Sequence, residues 1–268
     1  MERCMLAEEY VGKEFSILKG WVGERKWDGT RCLYLDEHLV NRRGVCYDMQ
    51  FPEVLEELRG YDADFDGELV VLREGVEDFG LCTTRCSTQS PLKIKLLMKE
   101  IPISYIVFDI LRASKQDMKS KPLLERKKML DIVLDDGLAH TRKAEYSTNL
   151  EEMWDRAVRQ GHEGIMLKRE DGKYVNERSD LWLKVKNRKV EAVKFNGMEK
   201  NPAGWLLTND DGYRVQCAGR KAEAVRERFL ESGQVEVEVH YQRRTESGLL
   251  FQPSIRFTGG ANNPKCLR

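Results

Sequence analysis

The stretch GERKWDGTRC (residues 23–32) sets Lys26 two positions before Asp28, which is followed by Gly29 and Arg31. A lysine amine is a nucleophile once it loses its proton, but at an ordinary pKa of about 10.4 it is nearly all ammonium at neutral pH. Burial beside other cations could free the lone pair, at a cost of about 4 kcal/mol. Arg31 and two downstream lysines, Lys184 and Lys186, are the candidate cations. Asp28 would hold the amine or sit near a divalent ion, and Gly29 would let the backbone turn tightly beside a nucleotide. Read alone, the same residues make an Asp-Gly hairpin turn with ordinary surface charge.

Further segments supply complementary chemistry in a fixed order. NRRG (41–44) offers arginines, Arg42 among them, suited to clamping phosphate or carboxylate. FDGELV (65–70) puts Asp66 and Glu68 at the start of an apolar strand, where a carboxylate can accept from sugar hydroxyls or hold a cation. IVFDIL (106–111) sets Phe108 and Asp109 in an apolar run, where Phe108 also reads as plain core. HEGIMLKR (162–169) places Glu163, a hard oxygen donor suited to Mg²⁺, before a strand. LWLKVK (181–186) puts Lys184 and Lys186 on one strand face, and two like charges side by side there call for a polyanion. Each segment has an ordinary structural explanation; the ordered series does not.

Strands predicted at 31–36, 67–72, 104–111, 164–169 and 181–186 must carry these groups, with helices at 51–60, 122–134 and 149–161 between them. After about Lys189 the texture changes to short strands at 191–198, 204–209, 212–219 and 234–242 with one helix near 220–231, the pattern of a small Greek-key barrel. The charged connector KNRKVEAV marks the boundary. The 268 residues suffice for one large domain or two ordinary ones. Lys plus Arg and Asp plus Glu balance at 45 each, so any polyanion site is local rather than a global basic field. No leader-like segment and no run of about 18 apolar residues occurs, so a cytosolic protein is expected. The seven cysteines lack zinc-site spacing and read as reduced thiols.

Together KWDGTR, DGEL, FDIL, EGIMLK and WLKVK resemble the motif series of the covalent nucleotidyltransferases: ATP-dependent DNA ligases, RNA ligases and mRNA capping enzymes. Within that family the chain looks most like the small phage- and virus-type ATP-dependent DNA ligases, from MLAEEY to QPSIRFTGGANNP. The resemblance implies an α+β fold, with an adenylation domain of antiparallel sheets and flanking helices over residues 1–189 and an OB-fold β-barrel over 190–268. It implies that Lys26 attacks the α-phosphorus of ATP and carries AMP to the 5′-phosphate of a nick, with Asp28 beside it in the catalytic motif. Glu24 would read the adenine amino edge, Phe108 would stack on the base and Glu68 would bind ribose. Arg31 and Arg42 would grip nucleotide or nick phosphate, Glu163 with Glu68 would serve the metal, and Lys184 with Lys186 would neutralise the α-phosphate. ATP and Mg²⁺ (or Mn²⁺) are the implied cofactors and nicked double-stranded DNA the implied partner of a cytoplasmic monomer acting in repair, replication or recombination.

Two departures from the pattern stand out. The family's basic C-terminal motif, which orients pyrophosphate, is replaced by PSIRFTGGANNP, so that Thr258 takes a usual basic position and either Arg256 or Lys265 substitutes or self-adenylation with ATP is inefficient. Lys26 also lies too near the start for a preceding DNA-binding domain, which leaves the basic segments 85–99 and 241–244 as candidate DNA contacts. RNA ligase, capping guanylyltransferase and a catalytically dead nucleic-acid-binding protein remain alternatives.

Overall fold

The computed structural model describes residues 4–12, 14–219, 222–245 and 247–255. The chain forms two compact units, Met1–Lys186 and Asn187–Arg268.

The first unit is built on two sheets. In one, Leu6–Glu9, Arg178–Lys186, Gly164–Arg169, Trp21–Arg25 and Tyr146–Ser147 lie side by side in that order. The other runs His38–Asn41, Thr30–Leu35, Ala63–Arg73, Ile103–Ala113 and Gln116–Asp117, with Thr141–Lys143 parallel to Ile103–Ala113. All of Ile103–Ala113 is buried except Arg112, because both faces of this sheet are covered. One face packs Tyr34, Phe65, Tyr105 and Val107 against helix Pro52–Leu58 and residues of Leu123–Val133. The opposite face contributes Leu33, Val70, Ile106 and Phe108 to a cluster with Trp182 of the first sheet. The first sheet's outer side carries Leu150, Met153 and Ala157 of helix Leu150–Arg159. Covering on both sides explains why these strands read as continuous apolar runs rather than alternations.

Every predicted strand of this unit forms, and Ala63–Arg73 is longer at both ends than its apolar stretch. Asn149 caps its helix as expected, accepting from the Glu152 amide at 3.2 Å. Helices Phe79–Ser87 and Pro91–Glu100 go beyond the predicted elements, the basic character of 85–99 suggesting a contact segment; Asp78 at the first cap and Pro91 in the first turn of the second are their signals.

In the second unit Val235–Tyr241 alternates strictly, with Val235, Val237, Val239 and Tyr241 inward. It pairs with Lys189–Phe195 and Ser254–Ile255, while Gly197–Asn201, Gly204–Thr208 and Arg214–Cys217 form a second antiparallel sheet. Phe195, Leu207, Val215 and Val225 fill its core, the last from helix Ala222–Ser232. The α+β class expected from the sequence is what the chain adopts. Among the described residues, no helix is long and apolar enough to cross a membrane.

Candidate active site

Lys26 follows the strand Trp21–Arg25, and its amide donates to the Gly164 carbonyl at 3.0 Å. That bond seats the lysine beside Glu163, whose Oε2 forms an ion pair with Lys26 Nζ. Gly164 makes the approach feasible: its φ is +146°, and an added Cβ would lie 2.0 Å from the Val185 carbonyl oxygen. The backbone bends at Gly29, and close approach requires glycine there too, because a Cβ would fall 2.2 Å from the Leu69 carbonyl oxygen.

Cross-strand register then assembles a wall. Glu24, Met166 and Lys184 are direct neighbours across three strands and so share a face. From the second sheet Arg31 sits opposite Glu68. A cavity of about 560 Å³ is lined by Glu24, Lys26, Arg31, Arg42, Glu68, Phe108 and Lys184, together with Lys168, Arg178 and Trp182. Seven of the residues singled out from sequence thus meet in one place. Glu163 joins them through Lys26. Asp28 is buried, and neither it nor Lys186 belongs to the cavity wall; each is engaged by a neighbouring group. Arg256, Thr258 and Lys265 lie outside the described residues.

The cavity is chemically polarised. Phe108 and Trp182 meet edge to face at 5.9 Å, with the Arg31 guanidinium 4.5 Å from the Phe108 ring centre and Lys168 Nζ 4.3 Å from it. Phe108 is therefore both core and cavity wall. Arg31 binds Asp66 through Nε and Nη2, and Tyr174 donates to the same carboxylate at 2.6 Å. This bidentate pair means that Arg31 is fixed by an acid rather than presented as an open clamp. Arg42 is exposed on the turn after His38–Asn41.

Glu24 is 2% exposed, accepts from Lys168 Nζ at 2.8 Å and pairs with Lys127 Nζ at 2.6 Å. Burial lowers Lys168 to about 8, with Lys127 pushing the same way and Glu24 opposing. Glu68 is pushed up to about 8 by burial, against the pull of Arg31 and Lys26 and with Asp66 and Glu163 adding to the rise. Lys184 is lowered by burial first, then by Arg178, with Lys26 contributing. Cations crowded together in this way form an anion-binding surface. The sequence points to Asp28 as the acid that holds the Lys26 amine, whereas the acid paired with it is Glu163. Among the described residues no cluster of three acidic, histidine or cysteine side chains suits a metal by itself. Even so, Glu68 in the cavity wall and Glu163 on Lys26 are carboxylates, the hard oxygen donors that Mg²⁺ or Mn²⁺ takes.

The proposed DNA contacts fare differently. Arg85 is fully buried, bound to Glu53 and donating to the carbonyls of Ile101 at 2.8 Å and Gln50 at 3.0 Å, so it is a core brace and cannot reach a phosphate. Lys93, Lys95 and Lys99 of the same segment are exposed. In 241–244, Tyr241 is buried and Arg244 is held by Glu191 at 2.9 Å.

Sequence reasoning missed Lys127, Lys168 and Arg178. Lys168 lies two residues after Met166, the cross-strand neighbour of Glu24, and that parity was its signal. Lys127 falls on the buried stripe Leu123, Lys127, Leu130 of its helix, a basic residue where the period demands an apolar one.

Comparisons with known proteins agree with this geometry. Residues 4–186 match the family model described as ATP dependent DNA ligase domain. A DNA ligase of Methanoculleus marisnigri is 31% identical over 227 residues, covering 77% of this chain and 40% of that one. The SPbeta prophage-derived DNA ligase-like protein LigB of Bacillus subtilis is 27% identical over 257 residues, 88% of this chain and 92% of its own length. The chain spans 32% to 40% of the length of several curated relatives, among them the DNA ligase of Thermococcus fumicolans and Bacillus subtilis LigD. In fold it is similar over its whole length to a Lig E DNA ligase described as binding DNA with a minimal scaffold, with TM-score 0.72 at 18% identity. With the family model covering residues 4–186 around Lys26, the chain belongs to the ATP-dependent DNA ligase domain family.

Proposed function

We propose that this chain seals 5′-phosphate/3′-hydroxyl nicks in double-stranded DNA at the expense of ATP. The observation that carries the reading is the Lys26–Glu163 pair beside a cavity whose walls are aromatic and acceptor-bearing at Phe108 and Glu24 and cationic at Lys184 and Arg178. Such a cavity suits a nucleotide: the base against Phe108, an amino donor toward Glu24, the phosphates toward the cations. Glu163, paired with Lys26, would take the proton that the lysine must lose. The freed amine attacks the α-phosphorus, the bond to pyrophosphate breaks, and a phosphoramidate to AMP forms. The 5′-phosphate of the nick then displaces the lysine to give DNA-adenylate, and the 3′-hydroxyl displaces AMP and closes the strand. Glu68 and Glu163 would hold Mg²⁺ or Mn²⁺, which supplies neutralisation of phosphate charge. Glu68 would also face ribose, Lys184 and Lys186 the α-phosphate, and Arg31 and Arg42 the nucleotide or nick phosphate. Asp28 would support Lys26, and Arg256 would orient pyrophosphate.

We read residues 1–189 as the adenylation domain and 190–268 as an OB-fold domain, in a cytoplasmic monomer. The test is to incubate the protein with ATP or GTP labelled at the α-phosphate and a divalent cation, then chase with nicked DNA or nicked RNA. Label from ATP that stays on the protein in alkali, is lost in hot acid as a phosphoramidate must be, and moves to nicked DNA is expected. Label from GTP alone would mean a capping activity, transfer to RNA alone an RNA ligase, and no label on protein first cleared of bound AMP with pyrophosphate a binding protein. Arg256→Ala should slow labelling while leaving sealing of a pre-adenylated nick intact; unchanged labelling would remove Arg256 from the reaction.

A further inference from the structure

We propose that Lys127, which lies on a helix and lines no part of the cavity, is a positioning residue for nucleobase selection; the proposal rests on the nucleotide-transfer reading above. Lys127 is 2% exposed, and its ammonium reaches both sides of the base-binding end. It donates to the backbone carbonyl of Phe108 at 2.8 Å and pairs with Glu24 Oε1 at 2.6 Å, while Lys168 holds Glu24 Oε2 at 2.8 Å. The Tyr146 ring closes over the same ammonium at 5.3 Å.

A carboxylate taken out of water needs compensating charge, and here two ammonium groups supply it. The consequence is directional. With each oxygen fixed by a cation, Glu24 offers the cavity acceptor lone pairs in one orientation, which favours a base bearing an amino group at that edge and opposes one bearing a carbonyl. Because the same ammonium grips the Phe108 carbonyl, the acceptor and the aromatic wall are set relative to each other by one side chain. Neighbouring charges are accounted for: Arg126, next in the helix, is committed to Asp109 through bonds of 2.7 and 2.9 Å and so does not compete for Glu24.

Losing a hydrogen bond to a charged group costs tenfold or more in affinity, so Lys127→Met should raise the KM for ATP in protein labelling by about tenfold with little change in the saturated rate. Preference for ATP over GTP should fall, and so should preference for ATP over purine riboside triphosphate, which lacks the amino group. Lys127→Arg should restore both in part. A purely structural role would lower thermal stability and all rates together without altering these ratios. If Lys127→Met fails to melt cooperatively, Lys127→Gln, which keeps a donor for the Phe108 carbonyl, carries the same comparison. ATP labelling of the unchanged protein with unaltered ratios in the variant would overturn this proposal alone. Absence of labelling in the unchanged protein would overturn the nucleotide-transfer reading and the proposal with it.

Discussion

Glu163 and Lys26 form a partly buried pair, with side-chain exposures of 20% for the lysine and 11% for the acid. Glu163→Gln keeps the shape and removes both the ion pair and the proton acceptor, so single-turnover labelling should slow by at least about 100-fold, the scale of general base catalysis. A rate within threefold of the unchanged protein would take Glu163 out of the chemistry. Glu68 makes a pH prediction. Its carboxyl is lifted from the ordinary 4.5 to about 8 by burial, so the folded state binds the proton more tightly than the unfolded chain. The stability it contributes is fully present below about 4.5 and is lost as pH rises through about 8. Without nucleotide, Glu68→Gln should therefore flatten the pH dependence of the melting temperature across that window, most visibly near its upper end; an unchanged profile would show that Glu68 is not the titrating group.

At the scale of elements, the strands Gly164–Arg169 and Arg178–Lys186 deliver Glu163 and Lys184 only because they can approach closely at Gly164. Gly164→Ala should cost at least about 2 kcal/mol in denaturant unfolding and reduce labelling in the fraction that folds, since the Lys26 amide is tied to the same residue. The helix Leu123–Val133 is pinned to strand Ile103–Ala113 by Arg126 and Asp109, both fully buried. Asp109→Asn leaves that guanidinium uncompensated and should destabilise by about 3 kcal/mol in the same assay. Much of this architecture was legible beforehand. Strand positions, the Asn149 cap and the residues around the cavity follow from apolar runs, cap chemistry and motif order, all local in the sequence. Lys127, Lys168, Arg85 and Arg244 were not legible, because a buried basic side chain differs from a solvated one only in partners supplied by distant segments: Glu24 lies 144 positions from Lys168, and Glu191 lies 53 from Arg244. The helices Phe79–Ser87 and Pro91–Glu100 are masked in the sequence for a related reason, since their charges obscure the signals of Asp78 and Pro91 at their starts.

For the whole molecule, each unit owns its core. Tyr105, Phe108 and Val185 belong to clusters confined to the first, and Phe195, Val225 and Val239 to that of the second. A fragment of residues 1–186 should therefore melt cooperatively on its own, checked by circular dichroism. With 45 basic and 45 acidic residues the chain has no long-range field to draw in DNA, so nick sealing should fall steeply between about 50 and 200 mM salt, while labelling by ATP changes little. The central claim is that Lys26 carries AMP. Its most direct test is peptide mass spectrometry of the protein after reaction with ATP and a divalent cation, run beside Lys26→Ala. The account predicts one adenylyl group on the peptide containing Lys26 and none anywhere in the variant; an adduct on another residue, or labelling that survives the substitution, would contradict it.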